Sequence, residues 1–173
     1  MKKTISILGS TGSIGLSSLK ILDKQKYNFR IKLLSANQNF SLICKQIKKY
    51  RPNFFVISDI KIFNKVKKKY KKNTIIILNN FELFKIKKKI DITISAIPGI
   101  AGLSPTLSLI KLSKKILIAN KESIVCGWNL IKKAASKSKT KVVPVDSEHF
   151  SILKLLENQK LNEIKKIYIT ASG

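Results

Sequence analysis

Asp146-Ser147-Glu148-His149 puts two carboxylates, a hydroxyl and the chain's only histidine side by side. On an extended segment, positions i and i+2 point the same way, so Asp146 and Glu148 converge. Two convergent carboxylates repel unless a cation lies between them. All-oxygen ligation suits a hard divalent ion such as Mg²⁺ or Mn²⁺. A second reading stays open. Asp and Ser cap helices and Glu meets the positive end of the dipole, so the tetrad also fits a helix N-terminus. His149 is assigned no catalytic role. The other polar tetrad is Asn120-Lys121-Glu122-Ser123. Asn120 suits a helix cap. Lys121 is one of 33 lysines, but Glu122 beside it is one of only nine acids.

A third group of residues binds rather than reacts. Gly9-Ser10-Thr11-Gly12-Ser13-Ile14-Gly15 has the spacing G-x-x-G-x-x-G, a relative of the dinucleotide fingerprint. Glycines there permit a tight turn and let the backbone approach a pyrophosphate, and the opening N–H groups of the next helix form an anion site. The following Ser35-Ala36-Asn37-Gln38-Asn39 is polar and uncharged. An NAD site usually places a carboxylate there, so its absence favours NADP. Ser95-Ala96-Ile97-Pro98-Gly99-Ile100-Ala101-Gly102 is a second small-residue junction, where a flat ring can lie close to the backbone.

These residues need a scaffold that brings them to one edge. Short β-branched runs at 4–8, 31–35, 54–57, 74–78, 91–95, 115–118, 142–145 and 164–170 read as strands. Helical patterns fall near 13–24, 40–50, 60–71, 80–88, 101–112, 121–136 and 148–158. In 40–50, Phe40, Ile43, Cys44 and Ile47 recur at helical spacing. Strand–helix alternation with apolar strands predicts an α/β fold, a mostly parallel sheet with helices on both faces. Ligands then bind outside the carboxyl ends of the strands, where both tetrads and the glycine loop fall.

The chain has 173 residues, 44% hydrophobic, enough for one core and the edge of a second domain. No apolar run approaches the ~18 residues of a membrane span. Cys44 and Cys126 are far apart and fit a reducing compartment. The net charge of +26 invites a nucleic-acid reading. Yet there are 33 Lys against two Arg, and 28 Ile against six Val. That skew fits drift in an AT-rich genome, because a dedicated nucleic-acid reader favours Arg.

Together, Ile7–Gly15, Leu117–Ser123, Pro144–His149 and Thr170-Ala171-Ser172-Gly173 resemble the 1-deoxy-D-xylulose 5-phosphate reductoisomerase family. The resemblance spans the chain. It implies a Rossmann-like NADP-binding domain over 1–145, then the start of a truncated α+β catalytic domain over 146–173. It implies an enzyme of non-mevalonate isoprenoid biosynthesis that rearranges a ketose phosphate and reduces it with NADPH to 2-C-methyl-D-erythritol 4-phosphate. A divalent metal (Mg, Mn or Co) and a homodimer come with it, and neither nucleic acid nor membrane is a partner. Thr11, Gly12, Ser13, Ile14, Asn37, Gln38, Asn39, Asn120 and Glu122 match cofactor contacts. Lys121, Ser147 and Ser172 match substrate contacts, and Asp146 and Glu148 match metal ligands. Gln38 departs from the basic or small polar residue common in the family, which predicts a weaker grip on the 2′-phosphate. The family's further metal carboxylate, substrate lid and C-terminal helical domain have no counterpart in these residues, so the isolated chain is expected to be inactive. No transit segment precedes the first strand, which fits a bacterial cytoplasm better than a plastid. Another Rossmann-type NADP oxidoreductase, or a basic nucleic-acid-binding protein, are the competing readings.

Overall fold

The computed structural model describes residues 2–168. Seven strands, β1 (Lys3–Leu8), β2 (Phe29–Ala36), β3 (Phe54–Ile57), β4 (Ile76–Leu78), β5 (Ile90–Ser95), β6 (Ser113–Ile118) and β7 (Lys141–Pro144), form one sheet. Their order is β4-β3-β2-β1-β5-β6-β7, and every neighbouring pair is parallel. The chain runs outward from β1 to β4, then returns to the other side of β1 with β5. That reversal opens a crevice between the carboxyl ends of β1 and β5, the usual ligand position in such sheets.

Among the described residues five helices connect strands, α1 (Ser13–Lys24), α2 (Phe40–Tyr50), α3 (Ile60–Lys69), α4 (Leu103–Ile110) and α5 (Lys121–Ser138), and α6 (Ser147–Leu156) follows β7. Their starts follow from capping chemistry. Asn39, Asp59, Asn120 and Asp146 each accept a hydrogen bond from an amide in the first turn of α2, α3, α5 and α6. Such a cap satisfies an otherwise orphaned donor. α1 begins after Gly12 with no side-chain cap, leaving its first amides free for a ligand.

Alternation along the strands sends neighbours to opposite faces. Leu34 and Phe55 join Ile5, Ile7, Leu19, Ile43 and Ile47 in one buried cluster. Leu33 and Val56 join Leu8, Leu109, Ile110, Ile116 and Ile131 in the other. The sheet is thus buried on both faces, which is why its strands read as nearly continuous apolar runs.

Two expected elements differ. Of the strand expected over 164–170, residues 164–168 form none, and 169–170 lie outside the described residues. Ile167 and Tyr168 are 48% and 79% exposed, and no strand of the described residues lies beside this segment to complete a ladder. The helix near 80–88 shrinks to a 3-10 turn at Phe81–Leu83. Phe84 is buried edge-on against Phe54, with centroids 4.9 Å apart. Lys85, Lys87, Lys88 and Lys89 follow, and a helix there would stack like charges a turn apart.

At the amino edge of the sheet, Asp91 pins β5 to β1. Its Oδ2 accepts from Thr4 N and Thr4 Oγ1, both at 2.8 Å, and its Oδ1 accepts from Lys114 Nζ at 2.7 Å. The Lys114 ammonium and the Thr4 amide hold the Asp91 carboxyl far below its ordinary value of 3.8. A folded-state pKa below the unfolded one stabilises at pH values above 3.8, and this contribution fades as the pH falls below it. Asp91→Asn is therefore expected to lower stability at neutral pH and to flatten the loss on acidification. Urea midpoints measured at pH 7 and near pH 3 check this. An equal acid loss in both proteins would show that Asp91 is not the group responsible.

Candidate active site

Two cavities lie along the carboxyl edge of the sheet. The first, about 310 Å³, is lined by Gly9, Thr11 and Gly12 from the β1 end, Ser35, Ala36 and Asn37 from the β2 end, and Ser58 after β3. Ala96, Ile97, Pro98, Ala101 and Pro105 close its other side. The second, about 490 Å³, is lined by Ile14, Asn120, Lys121, Glu122, Asp146, Ser147 and Glu148. Ala96, Ile97 and Pro98 border both, so the two spaces share one wall.

The glycine loop is held from beneath. Gly9 has φ +79°, and a Cβ on it would come within 2.7 Å of the Ala96 carbonyl oxygen. Gly9 N donates to Ser35 Oγ at 3.0 Å, and Ser10 N donates to Ser35 O at 2.7 Å. Ser10 Oγ donates to Gln46 Oε1 at 2.6 Å, while Gln46 Nε2 returns a bond to Ser10 O at 2.8 Å. All three side chains are buried. Ser10, Ser35 and Gln46 were not among the expected site residues. Their signal was present in α2, where Gln46 interrupts an apolar stripe running from Ile43 to Ile47. A buried amide needs partners, and here the partner is the loop.

The shared wall is held by Asn120. Its Nδ2 donates to the carbonyls of Ile97 and Gly99, the latter at 2.7 Å, while its Oδ1 accepts from Ser123 N at 2.9 Å. The residue is only 3% exposed. Its amide is therefore committed to positioning the wall and capping α5. Lys121 and Glu122 follow on the first turn and are exposed to the second cavity.

Asp146 caps α6, so the helix-terminus reading of the tetrad describes its backbone. An extended convergence of Asp146 and Glu148 does not occur, because Glu148 already lies in the first helical turn. Both still border the second cavity. Asp146 Oδ1 accepts from His149 N at 3.0 Å and lies 2.6 Å from His149 Nδ1. Burial pushes the Asp146 carboxyl up, but the His149 amide and ring more than offset this, leaving it below its ordinary value. Ser147 Oγ donates to Glu148 Oε2 at 2.8 Å, and this bond, with the nearby Lys121 charge, also keeps Glu148 low. Both carboxylates thus favour the charged form. Hard, anionic oxygens are the donors a divalent cation requires. Asp146 and Glu148 fit as two ligands of such an ion. No cluster of three or more His, Cys, Asp or Glu completes a metal site among the described residues.

Ser13 opens α1 beside the first cavity, and Gln38 and Asn39 follow Asn37 without lining it. Asn39 spends its Oδ1 on capping α2, accepting from Leu42 N at 3.0 Å. Ser172 lies outside the described residues.

A family model described as 1-deoxy-D-xylulose 5-phosphate reductoisomerase matches residues 5–127. The chain belongs to the 1-deoxy-D-xylulose 5-phosphate reductoisomerase family. The model of the same family's C-terminal domain matches residues 142–173. The reductoisomerase of Pelagibacter ubique is 50% identical over 175 residues, covering 99% of this chain and 45% of that protein. The Zymomonas mobilis reductoisomerase, solved with NADPH, superposes with a TM-score of 0.77 at 30% identity, covering 86% of this chain and 40% of that one. A reductoisomerase solved with NADPH, fosmidomycin and magnesium gives 0.78 at 34% identity, covering 85% and 37%. The chain spans less than half the length of these reductoisomerases. The sheet and its helices are thus the Rossmann-like α/β arrangement of this family. No helix of the described residues is long and apolar enough to cross a membrane.

Proposed function

We propose that this chain forms the cofactor-binding part of an NADPH- and divalent-metal-dependent 1-deoxy-D-xylulose 5-phosphate reductoisomerase. The observation that carries this reading is the pair of cavities meeting at the Ala96–Pro98 wall. One is bounded by a glycine loop and an uncapped helix, the other by a lysine and two charged carboxylates. Residues 1–145 serve as the NADPH-binding domain, and 146–173 begin the catalytic domain. The second family model starts at residue 142, within β7 and a few residues before that boundary.

The proposed roles follow from position. Thr11 and Ser13 present backbone amides to the pyrophosphate, Gly12 shapes the turn between them by donating its N to Gly9 O at 3.1 Å, and Ile14 reaches the second cavity. Asn37, Gln38 and Asn39 meet the adenosine ribose, with Asn39 also fixing α2. Asn120 and Glu122 flank the nicotinamide end, Asn120 by holding the wall. Lys121, Ser147 and Ser172 bind the sugar phosphate, and Lys121 places positive charge where oxyanion character develops. Asp146 and Glu148 hold Mg²⁺ or Mn²⁺. When bound, the metal supplies Lewis acidity and NADPH supplies hydride for the final reduction to 2-C-methyl-D-erythritol 4-phosphate.

The complete enzyme is proposed to act as a homodimer in a bacterial cytoplasm. The lysine excess is assigned to sequence drift, with no nucleic-acid partner.

The 173-residue chain is expected to enhance NADPH fluorescence on binding, and not to oxidise NADPH when the ketose phosphate and Mg²⁺ are added. Titration and a steady-state absorbance trace check both parts. Absence of binding would overturn the cofactor assignment, and sustained oxidation would overturn the division of labour.

A further inference from the structure

The first cavity contains no charged side chain. Its twelve lining residues are glycine, alanine, serine, threonine, asparagine, isoleucine and proline only. In a chain that is 25% charged, with 35 Lys and Arg, that neutrality is local and marked. It extends one residue further along the chain. Among the immediate neighbours of the lining residues, the single ionisable one is an acid, Asp59, beside Ser58. Ser58 N donates to Ala36 O at 3.2 Å, which sets the β3 end against the β2 end. Asp59 keeps its carboxylate there, capping α3 through Ile62 N at 2.9 Å.

From this neutrality we infer that the cleft accepts NADH alongside NADPH, and that Gln38 and Asp59 set the ratio. The inference rests on the dinucleotide reading above and concerns the adenosine end of the same site. NADPH differs from NADH by a 2′-phosphate carrying close to two negative charges near pH 7. Preference for it normally comes from an Arg that accommodates the phosphate. Charge-assisted bonds are about twice as strong as neutral ones, so without them the grip on the 2′-phosphate falls by about half. Asn37 and Ser58 offer neutral groups that serve ribose hydroxyls as well as phosphate oxygens. The lysines elsewhere act through solvent, where the field decays over about 8 Å at physiological salt. Among the lining residues and their chain neighbours the only charge is that of Asp59, and it opposes the 2′-phosphate.

The test titrates the 173-residue chain with NADH and with NADPH in physiological salt, following dihydronicotinamide fluorescence. The expected dissociation constants agree within about tenfold. Gln38→Arg is expected to tighten NADPH about tenfold or more, with NADH moving less than about twofold. Asp59→Asn keeps a capping side chain and is expected to tighten NADPH a few-fold without changing NADH. Three outcomes overturn the inference while leaving the dinucleotide reading intact. These are a preference for NADPH beyond tenfold in the unaltered chain, a Gln38→Arg variant that gains no NADPH affinity, and an Asp59→Asn variant whose NADPH affinity stays unchanged. Binding of neither dinucleotide overturns both.

Discussion

Gly15→Ala is expected to abolish dinucleotide binding and to lower the melting temperature by roughly 10 °C. Gly15 is buried in the first turn of α1, facing back onto the loop it follows. A Cβ there would overlap the Gly9 carbonyl and lie 2.6 Å from Ser10 Cα. These are backbone atoms, so no side chain can swing aside. Nor can the loop retreat easily, because Ser10 is clasped by Ser35 and Gln46 beneath it. Overpacking of this kind costs about 3 kcal/mol at its upper end. Relief requires α1 to move away from β1, which pulls its free amides off the pyrophosphate position. Circular-dichroism melting and NADPH fluorescence titration measure the two effects. A variant that melts normally yet fails to bind would place the damage in the loop alone. One that binds normally would show that the tight packing is not needed.

Asn120→Asp is expected to destabilise the fold by about 3 kcal/mol at neutral pH. The substitution keeps an oxygen to cap α5 through Ser123 N. It replaces the donating Nδ2 with a carboxylate oxygen that faces the carbonyls of Ile97 and Gly99 in a buried position. Repulsion and burial both disfavour the charged form, so the folded-state pKa of the new carboxyl rises above its unfolded value. The penalty is therefore full above that raised pKa and fades as the pH falls through it, since the protonated acid can donate to one carbonyl. Asn120→Ala loses the cap as well and has no such recovery. Urea midpoints at pH 7 and pH 4.5 for the two variants make the comparison. Equal pH dependence in both would mean that the wall carbonyls are not held by this amide.

Much of this architecture was legible in the residues. Helices α1 and α2 begin and end at the expected positions because a glycine loop announces α1 and the spacing of Phe40, Ile43, Cys44 and Ile47 marks α2. Both also carry strong apolar stripes. β3 likewise matches its expected run, Phe54 to Ile57. The segment over 80–88 misled because its aromatic spacing imitates a helix. Only the tertiary position of Phe84 against Phe54 shows that one turn suffices. At the site, residue types located the cavities, but not the partners that each side chain had already taken. The caps supplied by Asn120 and Asp146 were legible, but not the cap supplied by Asn39, the hold of Asn120 Nδ2 on the wall carbonyls or the contact of Asp146 with His149. Those commitments depend on local backbone angles that spacing does not specify. The Gln46 anchor is the converse. It lies 36 residues from Ser10 and looks, in isolation, like an ordinary polar helix residue.

The pairing of β1 with β5 has a consequence for how the protein is made. β1 leaves the ribosome before both of its partners, and it finds β2 within about 30 residues, yet its other neighbour is some 87 residues downstream, the separation of the Thr4–Asp91 contact. At translation rates of about 5–20 residues per second, that gap lasts roughly 4–17 seconds. Throughout it, the strand destined for the centre of the sheet is an edge, with Ile5, Ile7 and Leu8 open to other nascent chains. A chaperone that shields this first strand would be needed most before Asp91 emerges, and least afterwards.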